Sequence, residues 1–569
     1  MSELPRIAVI ADAHFHDLEG DFEFPRIEID GEKLAVRSWT DTRESTRVFN
    51  ESARALDEAL AEVSRRGIRH VVLLGDYTDD GQRQTTERLR TILERHESAC
   101  GTRFYALPGN HDIFGPEGRN HTKQFLDGAD ARVFVTSDAT RAGPGSYATP
   151  RMYCEGYPKG LAPMAACGYF RRPDYVHWET PFGVSDLTED RLYEVSSPDG
   201  RNRYRLMDAS YLVEPEPGLW LMMIDANVFE PRDGLFEEGE EAAFVDSTGA
   251  GWNALLRLKP FIVDWIADVS ARATKLGKTL LAFSHYPVLD PFDGATGAEG
   301  VLFGDTNIGR RTPKEAVADA LMTAGMGVHF SGHLHVEGVT RRDRGERSLI
   351  NIAVPSLVAF PPAFKIIEPS ASGSSIETVE LAAMAVDQRV QRAYRREAKR
   401  AGEGPDLAFA ATDYGSFLKA HKRALVEHRY FPKEWPGNVV DEISGLTIGA
   451  ACNLVADAGV TAKILGGSPG ELPQDSARLA SLDMIELIAD WYCLRQAGML
   501  ALDKIPAPRR ALYRKLAQHL GRPPESGWDG STSGFLAIFL GAFDAFLDRA
   551  EAGSLQIDIG NTSAKEEAA

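Results

Sequence analysis

Val71-Val72-Leu73-Leu74-Gly75-Asp76-Tyr77-Thr78-Asp79-Asp80-Gly81 is the stretch on which the reading turns. Four apolar residues, two of them β-branched, read as a buried strand, and the glycine ends it. A carboxylate then stands one residue past the strand. The same design recurs. Ile7–Ala11 precedes Asp12-Ala13-His14, Phe104–Leu107 precedes Gly109-Asn110-His111-Asp112, Leu280–Phe283 precedes His285, and Val328–Phe330 precedes Gly332-His333-Leu334-His335. Five strand ends therefore carry oxygen or nitrogen donors. Brought together, they would make a cage of carboxylate, amide and imidazole, which suits divalent transition metals and is too rich in nitrogen for calcium.

Between these runs lie amphipathic segments. In Glu51–Arg66 the positions Ala53, Leu56, Leu60 and Val63 share one face, and Gly67 offers a stop. Thr312-Pro313-Lys314-Glu315 reads as an N-cap, a proline at the first helical position and a capping-box glutamate before Ala316–Ala324. Alternation of strand and helix predicts an α/β domain, with the donors at the carboxyl ends of its strands. Two stretches break the rhythm. Phe15–Thr42 is polar and irregular, with short strands expected near Arg26–Ile29. Residues 142–183 form an insertion rich in Gly, Pro and aromatics, expected either to cover a substrate or to pack its rings on the surface.

A chain of 569 residues predicts at least two domains. The boundary is expected after a Pro/Ser/Gly-rich break at Pro369–Ser375 and a last strand over Ile376–Ala385. That gives a catalytic domain over 1–385 and a helical domain over 386–569, with helices at Val386–Arg400, Tyr414–His428, Ser476–Gln496, Ala507–Leu520 and Gly534–Ala552. The apolar stretch Gly534–Leu547 is too short to cross a bilayer and carries Asp544. The tail Asn561–Ala569 is polar and expected to fray. The helical domain is expected to pack on the catalytic domain or on a second copy of the chain, making a homo-oligomer.

Composition excludes some classes. A net charge of -20 opposes binding to a nucleic-acid backbone but not to a small anion beside bound cations. The five cysteines are scattered and form no C-x-x-C pair, which fits reduced thiols in a cytoplasmic protein. The first motif follows Met1 so closely that neither a leader nor a membrane segment is expected.

In order, the five motifs read D-x-H, G-D-x-x-D, G-N-H-D, a lone His and G-H-x-H. The chain thereby resembles the calcineurin-like metallophosphoesterases across roughly residues 5–365. The resemblance implies a four-layer α/β/β/α sandwich, followed here by the helical domain. It also implies two divalent metal ions (Mn, Fe, Zn or Co). Asp12, His14 and His335 would hold one metal; Asn110, His285 and His333 would hold the other; Asp76 would bridge both. A metal-bridging hydroxide would attack phosphorus. His111 would serve the leaving group, steadied by Asp79, which the G-D-x-x-D spacing favours over Asp80. Asp112 would orient its loop. The G-N-H-D ending points to a small phosphodiester, a cyclic nucleotide among the candidates. The alternative is a phosphomonoesterase acting on a small phosphorylated metabolite.

His16 and Tyr286 are candidates for substrate contact, against packing roles for each. Asp225 and Asn227 could line the pocket; Arg43 and Arg47 could reach a phosphate or merely lie on a solvated helix face. Two further readings fit less well. The His14-Phe15-His16 pair also opens amidohydrolase barrels, but that leaves G-N-H-D and G-H-x-H unexplained. A non-catalytic scaffold working through its helical domain would be expected to lose ligands, and none is missing.

Overall fold

In the computed structural model the apolar runs are strands of two sheets, all inner except Arg103–Leu107, which forms an edge of the first. The structure describes residues 4–553, apart from 238, 295, 296, 305, 371, 372, 405, 469 and 470, and the backbone alone at 307 and 556–560. Ile7–Ile10, His70–Leu74 and Arg103–Leu107 lie parallel and adjacent. Helices Ser52–Arg65 and Arg83–Cys100 make the crossovers, and right-handed connection puts both on one face. Ala363–Ser370 and Gly373–Glu380 extend the sheet on the other side of Ile7–Ile10.

The second sheet has seven strands, with Val328–Ser331, Thr279–Ser284 and Leu219–Ile224 parallel at its centre. Alternation along Leu219–Ile224 explains how two layers become four. Leu219, Leu221 and Met223 join the core between the sheets. Trp220, Met222 and Ile224 join a separate cluster with Ile266 and Val269 of helix Pro260–Leu276 and with Leu321 of helix Glu315–Thr323. Strands buried on both faces read as unbroken apolar runs, which is why these were visible. The fold is the expected α/β/β/α sandwich followed by a helical region. The donor-bearing strands of both sheets end at one rim.

The helical region holds Gln388–Ala401, Tyr414–Leu425, Met484–Leu502, Ala507–Leu520 and Thr532–Ala552. No described helix is long and apolar enough to cross a membrane. This region does not stand apart from the sandwich. A single apolar cluster includes Val72 of the first sheet, Phe330 of the second, and Phe417, Trp491 and Phe539 of the helices. Polar ties reinforce it: Glu397 accepts the Trp39 N–H at 2.6 Å, and Arg495 grips Glu299 through two 2.6 Å bonds.

Local expectations differ from the structure in three places. Pro369 and Ser375 lie inside a paired hairpin rather than at a break. Gln556–Gly560 returns from the helical region to pair with Gly373–Glu380, an edge strand that no sequence signal announces. Thr312 does not cap the helix after it. That helix is Glu315–Thr323, with Lys314 at the cap, and Thr312 closes the short helix Asn307–Arg311. The Lys314 N–H is met by Asn253 Oδ1 at 2.9 Å, a partner from a distant segment. The expected frayed tail lies outside the described residues.

Candidate metal centre

The seven residues read as metal donors come together where the two sheets meet. One donor atom each of Asp12, His14 and His335 lies within 4.8 Å of the others, and the same holds for Asp76, His285 and His333. Asp76 stands between the groups: its Oδ2 is 3.7 Å from His14 Nε2 and 3.2 Å from His285 Nε2. His335 Nε2 lies 3.4 Å from Asp12 Oδ1 and 3.1 Å from His14 Nε2. Asn110 turns its amide nitrogen to Thr248 Oγ1 at 3.2 Å, which leaves the amide oxygen buried and without a partner.

The donor set fits a metal pair. His14 Nδ1, Asn110 Oδ1, His285 Nε2 and both ring nitrogens of His333 are buried and make no hydrogen bond among the described residues. Buried polar groups are ordinarily hydrogen-bonded, so unpartnered atoms on four of the seven residues call for another partner. Burial and Arg47 hold His14 well below its ordinary pKa, and burial and Arg311 do the same for His333. Both shifts favour the neutral imidazole, the form that binds metal. At His285 burial is outweighed by the carboxylate of Asp76, and the pKa rises to about 9.

Backbone strain marks the same residues. Asp12, His14, Asp76, His333 and His335 all have positive φ, and together they are half of the ten described non-glycine residues that do. Such conformations cost energy and gather at functional sites. Two motif glycines are needed for close approach. A Cβ at Gly109 would stand 2.1 Å from Asp76 Oδ1, and one at Gly75, where φ is +78°, would stand 2.4 Å from His285 Nδ1. Asp112 braces the loop by accepting the N–H groups of Gly109 and Thr78, both at 2.9 Å.

His111 lies beside the cage, its ring 5.1 Å from that of His14. Here the structure corrects the expected pairing. His111 Nδ1 is hydrogen-bonded to Asp80, not Asp79. Asp79 is fully buried and taken by Arg37 and Arg47, each at 2.8 Å. Lys123, Arg47 and Arg37 overcome its burial and hold it well below the usual carboxylate range. Asp80 also accepts from His121 at 3.2 Å and contacts Lys123. Burial and Arg47 push His111 down to about 4. Its Nε2 makes no hydrogen bond among the described residues.

A cavity of about 790 Å³ opens over the cage. Its wall includes Asp76, Asn110, His111, His333 and His335, but neither expected substrate contact. His16 is 2% exposed, and its Nε2 is hydrogen-bonded to the Ala35 carbonyl at 2.8 Å. Tyr286 lies behind His333, ring centroids 4.4 Å apart, with its hydroxyl donating to the Ser247 carbonyl at 2.9 Å. Asn227 and Asp225 are likewise spent on the backbone: Asn227 Nδ2 donates to Ile113 O at 2.7 Å, and Asp225 accepts the Ala209 N–H at 3.1 Å.

The insertion at 142–183 contributes nothing to the cavity wall; Tyr169 and Trp178 are buried in the core instead. The cover comes from the helical region, through Arg429, Tyr430, Lys433, Glu434, Arg495 and Gln496. Of the two flagged arginines, Arg47 reaches the site and Arg43 pairs with Glu403 at 2.7 Å, away from it.

Comparison with known proteins adds the following. Residues 5–151 match the calcineurin-like phosphoesterase family. Among solved structures, a dimetal phosphatase from Danio rerio is similar at 16% identity and a TM-score of 0.35, covering 67% of this chain and 96% of its own. A putative 5'-nucleotidase from Staphylococcus aureus, in complex with alpha-ketoglutarate, is similar at 10% identity and a TM-score of 0.30, covering 69% of this chain and 58% of its own. No curated protein matches at a significant level. The resemblance to the calcineurin-like phosphoesterases therefore holds over the segment that carries the first three motifs.

Proposed function

We propose that this protein is a metal-dependent phosphoesterase that hydrolyses a small phosphodiester. The observation that carries the reading is the group of unpartnered buried donors at the floor of a cavity, with His111 at its side. Two dications held by Asp12, His14, Asp76, Asn110, His285, His333 and His335 would supply the Lewis acidity that activates water and neutralises phosphate charge. Asp76 fixes the spacing of the two halves. Its other oxygen, Oδ1, accepts the His111 N–H at 2.7 Å, which ties the proton-handling loop to the cage.

Asp80 holds His111 Nδ1 and so presents Nε2 toward the leaving oxygen. With its pKa pushed down to about 4, the imidazole is neutral at pH 7, with its single N–H on Nδ1 facing Asp80. Nε2 must therefore first take up a proton, which the Asp80 carboxylate would stabilise, before it can donate to that oxygen. The helical cover limits the cavity to small molecules. A phosphomonoester is the second reading, favoured by the basic residues of the wall, which suit a dianion.

The test is turnover of diester and monoester panels by the metal-loaded protein. His111→Ala should cut hydrolysis of alkyl-leaving esters by about a hundredfold or more, the usual range for acid–base assistance. Nitrophenyl esters, which need little help, should lose far less. Equal loss for both would remove His111 from the leaving-group role.

A further inference from the structure

The cavity wall carries eight lysines and arginines against five carboxylates, on a chain whose net charge is -20. Most of the cations are matched. Arg37 and Arg47 hold Asp79, Lys123 holds Asp80, and Arg495 holds Glu299. Two are not. Arg311 makes no ion pair or hydrogen bond among the described residues. Arg429 gives one N–H to the Glu44 carbonyl at 2.7 Å and meets no carboxylate among them.

These two guanidiniums come from different parts of the fold. Arg311 ends the short helix Asn307–Arg311, on the His333 side of the cage. Arg429 belongs to the π-helical turn Val426–Tyr430, which continues helix Tyr414–Leu425. Single π turns inside α-helices are rare and often sit at functional sites. Here the turn is clamped by Tyr430, stacked on Tyr492 at 3.8 Å. Burial and the neighbouring charge of Arg429 both weaken the charged state of Arg311. Two guanidiniums on one cavity wall, neither paired with a carboxylate among the described residues, favour an added anion, and guanidinium groups suit the fork of a phosphate or carboxylate.

We propose that Arg311 and Arg429 form an anion subsite for a second negatively charged group, phosphate or carboxylate, carried by the substrate beyond the ester that is cleaved. The proposal rests on the phosphoesterase reading for its kinetics but not for its binding. It also accounts for the helical region, which supplies half of the subsite. Apolar residues of the same wall, Phe292, Ile308 and Leu334, would then flank the part of the substrate between the two charges.

The experiment uses the full chain. Three 4-nitrophenyl phosphodiesters differ only in the end of the other arm: methyl, carboxylate or phosphate. The metal-loaded protein should prefer a charged arm in kcat/KM, and Arg429→Gln should erase about tenfold of that discrimination, the worth of one charge-assisted contact. Arg429→Lys should restore part of it. The better of the two charged arms identifies the anion. Equal loss on all three esters would place Arg429 on the cleaved phosphate and overturn the proposal.

Binding is read separately, without turnover, by calorimetric titration of inorganic phosphate into the metal-free protein. Wild type should bind, with Arg311→Gln and Arg429→Gln each weakening it about tenfold. Binding without hydrolysis of any ester would sink the phosphoesterase reading and keep the subsite. Hydrolysis without arginine-dependent phosphate binding would do the reverse.

Discussion

Asp79 and Asp80 are neighbours in one turn and do different work. Asp79 lies between Arg37 and Arg47, so its removal takes from two buried guanidiniums the carboxylate they share, leaving Arg37 with Asp41 and Arg47 with Asp80. Asp79→Asn should destabilise the fold by roughly 3 kcal/mol, as breaking a buried pair does; chemical denaturation measures it. The sign with pH follows from its lowered folded-state pKa. Asp79 contributes stability above its unfolded value of about 4, and that contribution fades as pH falls toward the folded value. The gap in stability between wild type and Asp79→Asn should therefore narrow on acidification. Asp80→Asn also breaks a buried contact, with Lys123, but of the two variants it alone should slow alkyl-leaving esters, through His111. If the two variants exchange these phenotypes, the assignment of roles is reversed. The spacing G-D-x-x-D marked this turn but chose the wrong carboxylate. The arginines that claim Asp79 come from positions 37 and 47, and no local pattern announces their arrival.

At the scale of elements, the site is made of strand ends, and these were legible because central strands are apolar throughout. What sequence could not show is how tightly the ends approach. Gly109→Ala would drive a Cβ against the carboxylate that joins the two halves of the cage. The expected result is loss of metal binding with near-native secondary structure, seen by metal analysis beside circular dichroism. Retention of full metal content would mean the loop relaxes freely and that the close approach is not needed. Helix starts were less legible. Thr312-Pro313-Lys314-Glu315 has every residue of a capping signal, yet the threonine ends the preceding helix and Asn253 meets the first N–H of the next. The aromatic insertion stayed ambiguous between a cover and packing for a related reason. Its composition fits a lid as well as rings packed on the surface, and the structure instead buries Tyr169 and Trp178 in the core.

For the whole molecule, the consequence is that catalytic and helical parts are one body. Their shared cluster runs from the first sheet to the last helix, and the edge strand Gln556–Gly560 returns to the first sheet. A fragment ending at residue 385 would expose the apolar surface now covered by Phe417, Trp491 and Phe539. It should aggregate or bind hydrophobic dye and lose cooperative unfolding; a two-state transition matching the full chain would show the parts to be independent.

The central claim is that seven side chains hold two metals for phosphoester hydrolysis, and Asp76 is the residue both halves share. The direct measurement is metal content per chain alongside hydrolysis of bis(4-nitrophenyl) phosphate, for wild type and Asp76→Asn. Two equivalents of metal in wild type, a loss of metal in the variant and a fall in rate of roughly a thousandfold are expected, the scale of losing several kcal/mol of metal assistance. A variant that keeps both metals and the wild-type rate would contradict it.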